Sequence, residues 1–178
     1  MAVKATIFKA ELQVSDMDRH YYATHALTLA QHPSETEERL MVRLLAFALN
    51  ASEDLVFGRG ISTDDEPDLW RRDLTGVIEL WIEIGQPDES RIRKACGRAG
   101  EVRVYCFSGR SADIWWAKNA DLLARHANLR VFNVPAEASA QLAALASRNM
   151  QLQVLVQDGE VQVMDAGSAV TIAVAALK

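Results

Sequence analysis

A chain of 178 residues suits one domain around one sizeable core, and with 49% hydrophobic residues that core needs no disulfide or metal staple. A formal charge of -5 lacks the basic excess of a constitutive nucleic-acid binder, although a local basic patch is compatible with it. The two cysteines lack CxxC spacing, the opening MAVKATIFKAELQV has no apolar signal region, and no apolar run approaches a membrane span; the expectation is a soluble, cytoplasmic protein with no membrane partner and both thiols buried and reduced.

Residues 3–14 read as a strand. Val3, Ala5 and Ile7 share one face, and Ala10, Leu12 and Val14 share the opposite parity, so a bulge near Phe8–Lys9 is expected. After a turn at residues 15–18, residues 20–31 alternate as a returning strand with Tyr21, Ala23, Leu27 and Leu29 on one face. A helix is expected after Pro33, with Ser34 and Glu37 as its capping box and Met41, Leu44, Leu45 and Ala48 as its apolar stripe. Glu38 lies off the centre of that stripe. Short extended pieces follow at 55–58 and from Pro67, the second turning at residues 71–76.

The segment VIELWIEIG, residues 77–85, carries the most information. Its even face, Ile78, Leu80, Ile82 and Ile84, is wholly apolar and must be buried. Its odd face places Glu79 and Glu83 beside Trp81. Buried carboxylates need compensation from water, a basic side chain or a metal. A helix from Pro87 buries Ile92, Ala95, Cys96 and Ala99, with Arg91, Lys94 and Arg98 on an adjoining face. Strand 102–107, helix 111–126, strand 129–134 and helix 136–148 imply a parallel core. The hairpin LQVLVQ–Asp158–Gly159–EVQVM has a type I′ turn signal, and strand 169–174 completes it. No linker interrupts the chain, which reads as a single domain over 1–178.

An acid-bearing helix, Pro67-Asp68 on one strand and Glu83 at the end of the next resemble the PD-(D/E)xK nuclease superfamily. Gly85 departs from that pattern, because it stands where the motif has lysine; Lys94 on the following helix is the candidate replacement. The segments KATIFKAELQVSDMDR, LTLAQHPSETEERLMVRLLA, DDEPDLW, LWIEIGQPDESRIRKAC and IWWAKN together resemble the YaeQ family. The resemblance implies a mixed α/β (α+β), restriction-endonuclease-like sheet flanked by helices, with added N-terminal and C-terminal β-hairpins. It also implies a Mg²⁺ or Mn²⁺ held by Asp68 and Glu83, with Glu38 assisting and Glu79 an outer ligand or the partner of an arginine. Lys94 would support the attacking water. Arg71 and Arg91 would contact a DNA or RNA backbone. Such an ion takes hard oxygen ligands and activates water for phosphodiester hydrolysis.

Two readings stand side by side. In the second, Asp68 is a turn residue, Glu83 is paired to an arginine, and the fold serves as a non-catalytic binding module for nucleic acid or protein. Trp115 and Trp116 are expected to anchor their helix, with one ring partly exposed. The four histidines lack zinc spacing and read as structural, and Gly58–Gly60 is a weak phosphate-loop signal.

Overall fold

The structure, a computed structural model, describes residues 4–178. Val3 of the expected first strand lies outside the described residues. In chain order the strands are β1 (Thr6–Asp16), β2 (Tyr21–Gln31), β3 (Val56–Phe57), β4 (Leu69–Arg72), β5 (Ile78–Ile84), β6 (Ala99–Cys106), β7 (Leu129–Asn133), β8 (Asn149–Gln157), β9 (Glu160–Met164), β10 (Ala169–Ala173) and β11 (Ala175–Ala176). The helices are α1 (Glu37–Leu49), α2 (Glu89–Arg98), α3 (Arg110–Leu123) and α4 (Ala136–Ala143). The mixed α+β expectation is borne out, as two mixed sheets in two compact units.

The first unit holds residues up to Ala51 together with Glu137–Val174. Its sheet has the order β10-β9-β8-β1-β2. The N-terminal and C-terminal hairpins, expected as separate additions, pair with each other here through parallel β1 and β8. Period-two alternation explains β1: Phe8, Ala10, Leu12 and Val14 are buried, and Lys9, Glu11 and Gln13 are exposed. The expected bulge is absent. The β1–β2 register runs unbroken from Thr6↔Gln31 to Asp16↔Tyr21, because Ile7 belongs to the outer face and one parity serves the whole strand. In the turn between β8 and β9, Asp158 and Gly159 both take positive φ, as a type I′ turn requires.

The start of α1 also differs from expectation. Thr36, not Ser34, is the cap, and its hydroxyl accepts from Arg39 N at 3.1 Å. Ser34 bonds His32 Nδ1 at 2.6 Å instead. The physical reason lies between them: Glu35 is buried, and its carboxylate is held by Arg39 and Arg43 from inside the helix. The apolar stripe is broader than one face, since every residue from Leu40 to Ala48 is buried.

The second unit holds Ser52–Ala136 and Ala175–Lys178, with sheet order β11-β7-β6-β5-β4-β3. Strands β5, β6 and β7 are parallel and are joined by α2 and α3, as the β-α-β-α-β pattern requires. Strands β4 and β5 form an antiparallel hairpin, with Arg71 and Arg72 inside β4 rather than in the turn. Asp73 closes that turn by accepting from Thr75 N and Val77 N. Leu80, Ile82 and Ile84 bury the even face of β5, and Trp81 and Glu83 bury much of the odd one. Trp115 is buried in this core with Trp116 packed half-exposed against it. Cys106 is buried but Cys96 is only half-buried, a correction to the expected pair of core thiols. No helix among the described residues is long and apolar enough to cross a membrane.

Candidate functional site

Cross-strand geometry brings the two acids together. In the β4–β5 ladder Leu69 faces Ile82 and Trp70 faces Trp81. One step further, Asp68 N donates to Ile82 O at 3.1 Å, and Ile84 N donates to Asp68 Oδ2 at 2.8 Å. Strand parity then places Asp68, Trp70, Trp81 and Glu83 on one face. Both acids are nearly sealed from solvent, Asp68 at 2% and Glu83 at 4% exposure. Like charges facing each other across a ladder repel, and burial removes the water that would screen them.

The protein supplies partial compensation. Trp81 Nε1 and Arg91 Nε both donate to Glu83 Oε1 at 2.8 Å. The remaining guanidinium nitrogens of Arg91 reach Asp64 O and Oδ1 at 3.3 Å and Glu66 O at 3.0 Å. Burial still pushes the Glu83 carboxyl up to about 7, and the charge of Asp68 adds to the push; Arg91 and the Trp81 N–H work against it.

Behind the pair, the chain closes tightly. Gly60 has φ of +50°, and a Cβ there would lie 2.4 Å from Asp68 Oδ1. A Cβ on Gly58 would lie 2.2 Å from Pro67 O. These glycines let the segment after β3 press against Pro67–Asp68, a role the weak Gly-x-Gly signal did not reveal. A cleft of about 670 Å³ runs along α2, lined by Asp64, Asp65, Trp81, Arg91, Lys94 and Arg98; Trp81 and Arg91, not the acids themselves, form its wall on the side of the pair. Arg98 stacks 5.1 Å from the Trp81 ring, Trp70 meets Trp81 edge-on at 6.0 Å, and Arg72 sits 4.1 Å from the Trp70 ring. Sequence reading gave no site role to Trp70 or to the stacking of Arg72 on it, although the alternation of β4 carries Trp70 onto the acid face.

The other expected site residues are distributed as follows. Lys94 is exposed and lines the cleft, but the cation touching Glu83 is Arg91. Glu79 is exposed and accepts from Arg71 Nε at 3.3 Å, so these two partner each other two residues before Trp81 reaches the acid pair. Glu38 is half-buried on α1, in the other unit. Gly85 has φ of +107° with open space around a would-be Cβ. That backbone conformation favours glycine whatever the space around it.

Asp68 and Glu83 offer hard oxygen donors of the kind Mg²⁺ or Mn²⁺ takes alongside waters. Among the described residues, no three His, Cys, Asp or Glu side chains gather as a metal set.

Fold and site together define an α+β protein with a buried pair of acids on one sheet and an arginine-bearing helix whose Arg91 joins that pair to the neighbouring cleft. The family model described as YaeQ protein matches residues 1–174, and the chain belongs to the YaeQ family. It is 48% identical over 165 residues to YaeQ of Escherichia coli (strain K12), covering 93% of this chain and 91% of that protein. It is 48% identical over 166 residues to YaeQ of Salmonella typhi, covering 93% and 92%. The crystal structure of the YaeQ protein from Xanthomonas axonopodis pv. citri superposes with a TM-score of 0.95 at 56% identity, over 98% of each chain. That from Pseudomonas syringae gives 0.94 at 34% identity, over 98% of this chain and 96% of the other.

Proposed function

We propose that this protein is a Mg²⁺- or Mn²⁺-dependent phosphodiester hydrolase with a variant PD-(D/E)xK centre, acting on DNA or RNA. One observation carries the reading: two buried carboxylates from neighbouring strands face each other on one side of the sheet, and one of them is held near 7. An acid pair that repels itself is under tension that a divalent cation relieves, and strongly shifted acids cluster at functional sites. Asp68 and Glu83 would hold the ion. When bound, it supplies Lewis-acid polarisation of a phosphoryl oxygen and a more acidic water.

The chain's own residues do the rest. Arg91, which holds Glu83 from the cleft side, is the residue that would bind a phosphate oxygen beside the pair. Lys94, across the cleft rim, neutralises charge developing on the phosphate. Arg71 extends the contact along the backbone. Trp81 holds Glu83 Oε1 in place from the side.

A second reading is favoured by Arg91 and Gly85. The arginine already neutralises Glu83, and glycine stands where the motif has lysine. On that reading the cleft binds nucleic acid or a protein partner without cutting. Calorimetric titration of Mn²⁺ into the parent, Asp68→Asn and Glu83→Gln separates the two. The hydrolase reading expects binding by the parent that both substitutions abolish, together with Mn²⁺-dependent cleavage of DNA or RNA lost in the same variants. Absence of heat at millimolar Mn²⁺ favours the binding module; equal cleavage by all three proteins removes the hydrolase.

A further inference from the structure

Among the described residues four strands end the two sheets, and three of them are short: β3 and β11 have two residues each and β10 has five. The fourth, β2, has eleven. Proteins blunt long edges with charges, prolines, bulges or covers, because an open edge pairs with other chains. The sequence of β2, YYATHALTLAQ, contains no Lys, Arg, Asp, Glu, Pro or Gly, and its register with β1 has no bulge.

The direction of the backbone groups follows from the ladder. Lys9 N donates to Arg148 O, so Lys9 points its backbone towards β8 and away from β2. Its partner Thr28 therefore points its N–H and C=O outward, and unbroken register extends this to Tyr22, Thr24, Ala26 and Ala30. Ala30 O accepts from Arg43 at 3.2 Å, which fits that direction. Among the described residues, Tyr22, Thr24, Ala26 and Thr28 make no other backbone bond. The hydrophobic layer also stops short here. Ala10, Leu12 and Val14 of β1 are 1–3% exposed, whereas Ala23, His25 and Leu27 on the same face of β2 remain half-buried.

We propose that the β2 edge pairs with the β2 edge of a second copy, antiparallel and two-fold symmetric about Ala26, to give one continuous ten-stranded sheet. The strand is self-complementary in that register. Ala26 meets Ala26, Thr24 meets Thr28 in a favourable cross-strand pair, and Ala23 meets Leu29; no charge faces a like charge. The outward groups of the even residues find partners, and the half-buried inner face gains the neighbour it lacks. The interface is isologous and closes on itself, so it stops at a dimer. This inference is independent of the acid pair in the other unit.

Position 26 faces itself across the symmetry axis, which makes the test specific. Analytical ultracentrifugation of the parent should give a concentration-dependent dimer in the micromolar range. Ala26→Lys and Ala26→Asp each place like charges in contact on an exposed site and should dissociate, weakening association by roughly tenfold or more. An equimolar mixture of the two variants should recover the dimer, which also establishes that both are folded. In the parent, the amides of Tyr22, Thr24, Ala26 and Thr28 should gain hydrogen-exchange protection with rising concentration. A parent that stays monomeric up to sub-millimolar concentration, a dimer that persists in Ala26→Lys, or a mixture that stays monomeric overturns the proposal.

Discussion

A carboxyl that titrates near 7 in the folded chain and near its ordinary 4.5 in the unfolded one holds its proton more tightly in the native state. The native state is therefore favoured at acid pH, and stability falls as pH rises from about 4.5 through about 7. The loss attributable to Glu83 is on the order of 3 kcal/mol. Glu83→Gln has no proton to release there, so its urea midpoint should fall less than the parent's between about pH 5 and about pH 8; parallel curves would refute the assignment. Arg91→Ala should cost about 1–3 kcal/mol at neutral pH and less at pH 5, where Glu83 is protonated and needs the guanidinium less. At this scale much was legible. Alternation alone put Glu83 beside Trp81, and one of the two readings paired Glu83 with an arginine without saying which. What no local pattern encodes is which cation arrives first: Arg91, rather than Lys94, meets the carboxylate because it also finds backbone acceptors at Asp64 and Glu66.

Periodicity located most elements, and several of the errors fall at their ends, where side chains compete for the same backbone groups. Ser34 and Thr36 both precede α1, and each fits a capping position. The burial of Glu35 between Arg39 and Arg43 settles the competition by fixing the first turn, which leaves Thr36 as the cap. Thr36→Ala should accordingly lower stability by about 1 kcal/mol, and Ser34→Ala by much less, in paired denaturation curves. Similar losses in the two would mean the helix starts earlier. The helices expected to run to 126 and 148 stop at Leu123 and Ala143. Beyond them the chain turns with bonds three residues back, from His126 N to Leu123 O and from Leu145 N to Leu142 O, so apolar spacing continues while the α-helix does not. Gly58 and Gly60 are legible only in retrospect, because their value lies in how closely Pro67 and Asp68 approach them, and sequence spacing carries no distance.

Sheet membership is the part of the fold that sequence alone left open. The terminal hairpins each had a clear signature, yet nothing in either one specifies that β1 and β8, more than 130 positions apart, lie side by side; the register Lys9↔Asn149 is set by complementary buried faces. Hydrogen exchange should find the slowest amides in the interior strands β1, β8, β5 and β6, and faster exchange in β3 and β11. Early loss of β1 protection, ahead of β10, would contradict the strand order. The long-range pairing also bears on synthesis. A growing chain emerges from the ribosome with β1 and β2 first, and those strands must wait for residues 149–157 before the sheet between them and the C-terminal hairpin can close. Throughout that interval the uncharged β2 edge and the apolar side of β1 are open to neighbours on the same polysome.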